Sequence, residues 1–330
     1  MRKMLIMMFT ALLCSVHLSY GQDMKVGILF DEFASARWKI DSKILTEKFT
    51  ELGVKSEIRV AHMEKGVQVK QANELIKKGV QALIVIATDA EEAKTIVELA
   101  KSRDVIIVAY DRLIPDPRVD FFISYDSKEV GRMQARAAIK GVPNGNFVLV
   151  NGPESDLNAI DYRLGQLEVI NEYNTNDQIK IVKDIVLDQW HEMQTMLTLL
   201  DSKLKVDKIN CFVAASDALS GGVIEFVSDE TEMKRIYLTG QDASDGGCER
   251  IKSGLQNMTV LKPLKQLAES TALITYKLMQ NEPTPELKKI RIAEMEMKGL
   301  LFTPILIDES NVESNEALLE QLRIAKEVAD

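Results

Sequence analysis

In this chain, residues able to make strong hydrogen bonds recur just past short apolar runs. Asp31, and then Arg37-Trp38, follow KVGILF. Asp111-Arg112 follow VIIVAY, and Asp156 and Asn158 follow NFVLVNG. Asp188-Gln189-Trp190 follow an apolar run near Ile185, Ser216-Asp217 follow INCFVAA, Gln241-Asp242 follow IYLTG, and Lys262 follows MTVL. Carboxylates accept only, guanidinium and ammonium groups donate only, and a sugar hydroxyl does both. A hydroxyl set between an Asp and an Arg, Lys or Asn is therefore matched on each side, and a charged partner strengthens the bond. The two tryptophans of the chain, Trp38 and Trp190, lie among these residues. A flat indole covers the apolar C–H face of a ring. This inventory suits an uncharged, polyhydroxylated ligand. Asp111 beside Arg112 then reads as an acceptor and a donor fork aimed at adjacent hydroxyls.

Each residue also has a plainer reading. Asp156 and Asp217 stand ahead of helix-like stretches, where an Asp serves as N-cap. Arg112 pairs equally well with Asp111 or a surface acid, and Trp190 fits a core. Their shared position at successive run ends is what favours a common site. Enzyme signatures are missing: there is no G-x-G-x-x-G, G-x-x-x-x-G-K-[ST], G-x-S-x-G or H-E-x-x-H. A carboxylate pair for glycoside hydrolysis is compatible with the sequence. The acids alternate with Arg, Lys and Asn, however, which hold them ionised and favour binding over proton transfer. His62 and His191 stand alone, with no cysteine or second histidine at ligand spacing, so no metal and no cofactor are expected.

The elements that must position these residues alternate. Runs that are apolar on both sides, separated by longer amphipathic stretches, suit parallel strands covered by helices on each face. Gly53 after EKFTEL and Gly79 after ELIKK mark helix C-termini. Repeated strand–helix units imply right-handed crossovers and a doubly wound α/β sheet. In an open parallel sheet the ligand lies beyond the carboxyl ends of the strands, where the hydrogen-bonding residues fall. The alternation runs twice, over about 25–125 and about 130–260, with no Pro/Gly/Ser-rich linker between. The tail NVESNEALLEQLRIAKEVAD reads as a terminal amphipathic helix.

With 330 residues and 46% hydrophobic content the chain is long enough for two cores. Its net charge of -9 lacks the basic footprint of a nucleic-acid binder. The first residues, MRKMLIMMFTALLCSVHLSYGQD, have the layout of a secretory signal peptide over 1–21, with a cut before Gln22. The bulky Leu13 argues against lipidation at Cys14. Cys211 and Cys248 are read as unpaired thiols, since two cysteines make no disulfide framework.

RWKID, AYDRLI with DFFISYD, NGPESDLNA with RLGQ, DQW, AASDALSGG, GQDA and MTVLKP occur in this order. In them the chain resembles the periplasmic sugar-binding proteins of ABC transporters, in the group of ribose-, galactose- and especially xylose-binding members, over about 24–308. The resemblance implies the type I periplasmic-binding-protein fold: two doubly wound lobes joined by three hinge crossings, with sugar in the cleft between. It places the crossings near Tyr125-Asp126, Leu261-Lys262 and Phe302-Thr303. The N-terminal lobe would then be 24–125 plus 262–302, and the C-terminal lobe 126–261 plus 303–330. It assigns ligand contacts to Arg37, Trp38, Asp111, Arg112, Asp156, Asn158, Trp190, Asp217, Asp242 and Lys262. Ser216 departs from the family, which carries Asn-Asp where this chain has Ser216-Asp217; the serine offers one hydroxyl in place of an amide. The implied function is capture of D-xylose or a related aldopyranose by a periplasmic monomer, with delivery to an ABC sugar permease. In an alternative the closed form reports to a membrane sensor histidine kinase. A repressor-type regulator of the same fold is disfavoured by the absence of an N-terminal helix-turn-helix, and a secreted carbohydrate enzyme by the missing signatures.

Overall fold

The computed structural model describes residues 24–33, 36–64, 66–292 and 295–329. The signal peptide expected over 1–21, and Cys14 within it, lie outside them. The chain opens with parallel strands β1 (Lys25–Phe30), β2 (Lys55–Val60), β3 (Ala82–Val85), β4 (Ile106–Tyr110) and β5 (Phe121–Tyr125). Helices α1 (Ala36–Glu51), α2 (Val67–Lys77) and α3 (Ala93–Lys101) make the crossovers. Gly53 and Gly79 follow α1 and α2 at φ 71° and 79°, the left-handed conformation that ends a helix without steric cost. Apolar side chains fill both faces of the sheet. Phe30, Ile84, Val108 and Tyr110 pack beneath α1, and Leu29, Leu83 and Ile107 pack beneath α2 and α3.

The second unit repeats the scheme with α4 (Ser127–Gly141), β6 (Gly145–Asn151), α5 (Leu157–Tyr173), β7 (Ile179–Val186), α6 (Glu192–Asp201), β8 (Cys211–Ala214), α7 (Asp217–Val227), α8 (Glu230–Arg235), β9 (Tyr237–Leu238) and α9 (Asp245–Lys252). Its four strands are parallel in the order β7-β6-β8-β9. The chain then runs through β10 (Met258–Leu261), α10 (Leu264–Met279), β11 (Lys288–Ile292), β12 (Met295–Phe302), β13 (Ile305–Asp308) and α11 (Glu316–Ala329).

The first sheet has the order β11-β12-β5-β4-β3-β1-β2. Two strands absent from the sequence reading extend it: β12 lies parallel to β5, and β11 antiparallel to β12. Chain passes between the sheets after Tyr125, through Leu261-Lys262-Pro263 and after Phe302. Two of these passages are hydrogen-bonded together, because β10 and β13 form an antiparallel ladder from Met258↔Asp308 to Leu261↔Ile305. Helix α11 divides its contacts. Leu318 packs with Ala243, Cys248 and Ile307 at the base of the second lobe, whereas Ile324 joins the first-lobe core. Cys211 and Cys248 are free and buried in separate apolar clusters.

Candidate functional site

Ser216 and every residue that the resemblance assigns to the ligand line one cavity of about 550 Å³ between the lobes, whereas Asp188 does not. Topology explains this. Parallel strands present their carboxyl ends at one edge, and the two lobes turn those edges towards each other. Arg37 and Trp38 come from the first turn of α1, Asp111 and Arg112 from the loop after β4. Asp156 and Asn158 open α5, Trp190 precedes α6, Ser216 and Asp217 open α7, Asp242 follows β9, and Lys262 follows β10.

The first-lobe side chains form a connected set. Arg37 donates to Asp111 through Nη2, reaches Asp41 from Nε at 3.5 Å, and lies 3.5 Å from Asp242 on the other lobe. Lys262 Nζ lies 3.4 Å from Asp111 Oδ1 and 3.1 Å from the Tyr162 hydroxyl. Burial alone would raise the Asp111 pKa, but Arg37 and Lys262 outweigh it and hold it at about 2. Asp111 is thus a permanent acceptor at neutral pH. Burial and the neighbouring Arg37 charge lower the pKa of Lys262, while Asp111 opposes them. Asp111 and Asp242 both take left-handed backbone, at φ 59° and 99°. Such strained conformations persist only where the surroundings impose them.

Arg112 is likewise committed. It donates through Nη1 to Asp31 Oδ2 at 2.7 Å and to the Ala87 carbonyl at 2.8 Å, and its Nε lies 3.1 Å from Asp156 across the cleft. The expected partners, Asp111 or a surface acid, are replaced by these two acids because the guanidinium is buried between them. Trp38 is only 5% exposed and carries the Arg37 guanidinium 4.4 Å from its ring centroid, with that of Arg112 at 5.6 Å. Its face is a platform for these cations.

On the second lobe Asp156 does cap α5, accepting from Asn158 N at 3.0 Å, while its other oxygen accepts from Trp190 Nε1 at 3.1 Å. Capping and cleft roles coexist because a carboxylate has two oxygens. Trp190 stands edge-on to Tyr162, ring centroids 6.1 Å apart. A Cβ on Gly152 would come within 2.5 Å of the Trp190 ring, so the loop after β6 needs glycine there. Asn158 reaches back to the first lobe, donating to the Asp111 carbonyl at 3.0 Å.

Ser216 and Asp217 behave differently from the rest. Ser216 is the N-cap of α7, accepting from Leu219 N at 3.3 Å. Asp217 lies next to the cavity, but its carboxylate points into the second lobe. It accepts from Gln256, Thr259 and the Ser244 amide and hydroxyl at 2.8–3.0 Å. Burial raises its pKa.

The sequence reading left out Asp41, Tyr162 and the role of Asp31. Asp41 lies four residues past Arg37, and Tyr162 four past Asn158. One helical turn puts each pair on one face, and that spacing was the available signal.

Residues 26–283 match the periplasmic binding protein domain family. The chain is 31% identical to the D-xylose-binding periplasmic protein of Escherichia coli over 313 residues, covering 94% of each chain. It is 24% identical to the multiple sugar-binding periplasmic receptor ChvE of Rhizobium radiobacter, covering 87% of this chain and 88% of that one. Among solved structures, a solute-binding protein from Clostridium phytofermentans with bound β-D-glucose superposes with a TM-score of 0.81 at 18% identity, over 89% of this chain and 99% of that one. The fructose-binding periplasmic domain of a hybrid two-component system does so with 0.79 at 20% identity, over 93% and 98%. With its two doubly wound lobes and the cleft between them, the chain belongs to the periplasmic binding protein family.

Proposed function

We propose that this protein captures a neutral aldopyranose, D-xylose or a close relative, in the interlobe cleft and delivers it to an ABC sugar permease. It acts as a monomer in the periplasm, after removal of the signal peptide over 1–21. The observation that carries the ligand class is the interleaving of donors and acceptors around the cleft. Arg37, Arg112 and Lys262 face Asp31, Asp111, Asp156 and Asp242, all around one cavity that Trp38 and Trp190 also line. Hydroxyls of a neutral ligand meet donors and acceptors on both sides of this cleft. The D-xylose-binding name of the 31% identical relative supports the choice of sugar. Binding proceeds without turnover.

Isothermal titration of the chain from Gln22 against pentoses and hexoses tests this reading. One aldopyranose is expected at micromolar affinity or tighter, roughly -8 kcal/mol. No binding across the panel sinks it. A second reading, sugar sensing, draws support from the likeness to a sensor's periplasmic domain. Sugar-dependent ATP hydrolysis by a reconstituted permease supports delivery, and sugar-dependent autophosphorylation of a membrane kinase supports sensing.

A further inference from the structure

We propose that Asp31 reads the ligand directly. Its Oδ1 accepts one ring hydroxyl, while its Oδ2 fixes Arg112 beside it. This rests on the sugar-binding reading and adds a specificity-determining residue to it.

Asp31 is the first residue past β1, so the sheet itself delivers it to the cleft edge. It is 4% exposed and lines the cavity. Its two oxygens differ. Oδ2 accepts from Arg112 Nη1 at 2.7 Å. Oδ1 is buried, and no donor among the described residues reaches it. Buried polar atoms are seldom left unpaired, and each exception asks for a partner supplied from elsewhere. Here the residue that carries the free oxygen lines the interlobe cavity.

Arg112 completes the argument. Its Nε and Nη1 are engaged by Asp156, Asp31 and the Ala87 carbonyl. No hydrogen bond among the described residues uses its Nη2. Two side chains locked to each other thus present one unclaimed acceptor and one unclaimed donor. That is the complement of a hydroxyl pair on adjacent ring carbons, one donating to Asp31 and one accepting from Arg112. A carboxylate in this place rejects a sugar whose hydroxyl is deleted, because its buried oxygen then stays unpaired.

The test is a set of titrations of the wild type, Asp31→Asn and Asp31→Ala with D-xylose, or the panel sugar bound in its place, and with its monodeoxy analogues. Thermal unfolding of each variant runs alongside. The wild type should lose about tenfold or more in affinity for the analogue lacking the hydroxyl that Asp31 reads. In both variants that one penalty should collapse while the others keep their size. If Asp31→Ala fails to fold, Asp31→Asn, which preserves the shape, decides alone. Penalties that persist unchanged at every position, or that shrink together, overturn the assignment and reduce Asp31 to a support for Arg112. A wild type that binds no sugar sinks the functional reading as well, and is told apart by the absence of any wild-type heat.

Discussion

Asp41 lies behind the cleft without exposure, touching Arg37 and accepting from the Tyr110 hydroxyl. Burial pushes its pKa up to about 7, against the opposing pull of Arg37 and the Tyr110 hydrogen bond, with Asp111 adding repulsion. The folded value lies above the unfolded one, so the folded state keeps a proton that the unfolded chain has released. The contribution of Asp41 is fully present below about pH 4 and is lost as pH rises towards 7, with a ceiling of about 4 kcal/mol. Asp41→Asn should remove that slope. Urea unfolding from pH 4 to 8 is expected to show the wild type losing ground against the variant as pH rises; a constant difference contradicts it. Ser216 makes a different point at this scale. A serine before Asp217 reads as a hydroxyl offered to the ligand; its oxygen also accepts from Leu219 N to cap α7, its O–H stays available to the cavity it lines, and Asp217 turns inward. Sequence alone leaves such a choice open, because Ser and Asp both cap helices.

At the scale of elements, the loop between β6 and α5 holds Asp156 against Trp190, and Gly152 makes room for the indole. In Gly152→Ala the new Cβ would meet the ring at 2.5 Å. Trp190 must shift and lose its bond to Asp156. A sugar-affinity loss of about tenfold is expected by titration, with altered tryptophan fluorescence. Unchanged affinity would detach Trp190 from the site. The central strands were legible because they are apolar on both faces; KVGILF coincides with β1. Strands β11 (KKIRI) and β12 (MEMKGLLF) alternate charge with apolar residues and lie towards one edge of the sheet, so a search for continuous apolar runs passed over them. The site was legible to the same degree, since strand ends gather at one sheet edge. Asp41 and Tyr162 lie a helical turn beyond the run ends, where strand position gives no sign of them.

For the whole molecule, the cleft charges already tie the lobes together. Arg112 reaches Asp156, Arg37 faces Asp242, and Asn158 bonds to Asp111. A sugar held by both edges favours this arrangement over any in which they separate, the differential affinity a hinge requires. Small-angle scattering should show a smaller radius of gyration at saturating sugar than without it; equal radii contradict closure. The ladder of β10 and β13 confines the bend, because two of the passages move as one ribbon. Gln321 of α11 bridges the Leu264 amide and the Asp242 carbonyl at 3.2 Å each, joining the tail to both sides of the cleft.

The two free cysteines have a practical corollary. Cys211 and Cys248 have no exposed surface. Burial drives both thiol pKa values up, that of Cys248 to about 12, so neither forms the reactive thiolate at neutral pH. Maleimide chemistry therefore finds a silent background in the described chain. A single cysteine introduced at the cleft mouth, for example at the exposed His191, becomes the one labelled position. A fluorophore there would convert lobe movement into an optical signal, making the protein a reagentless sugar sensor with no native cysteine to remove among the described residues.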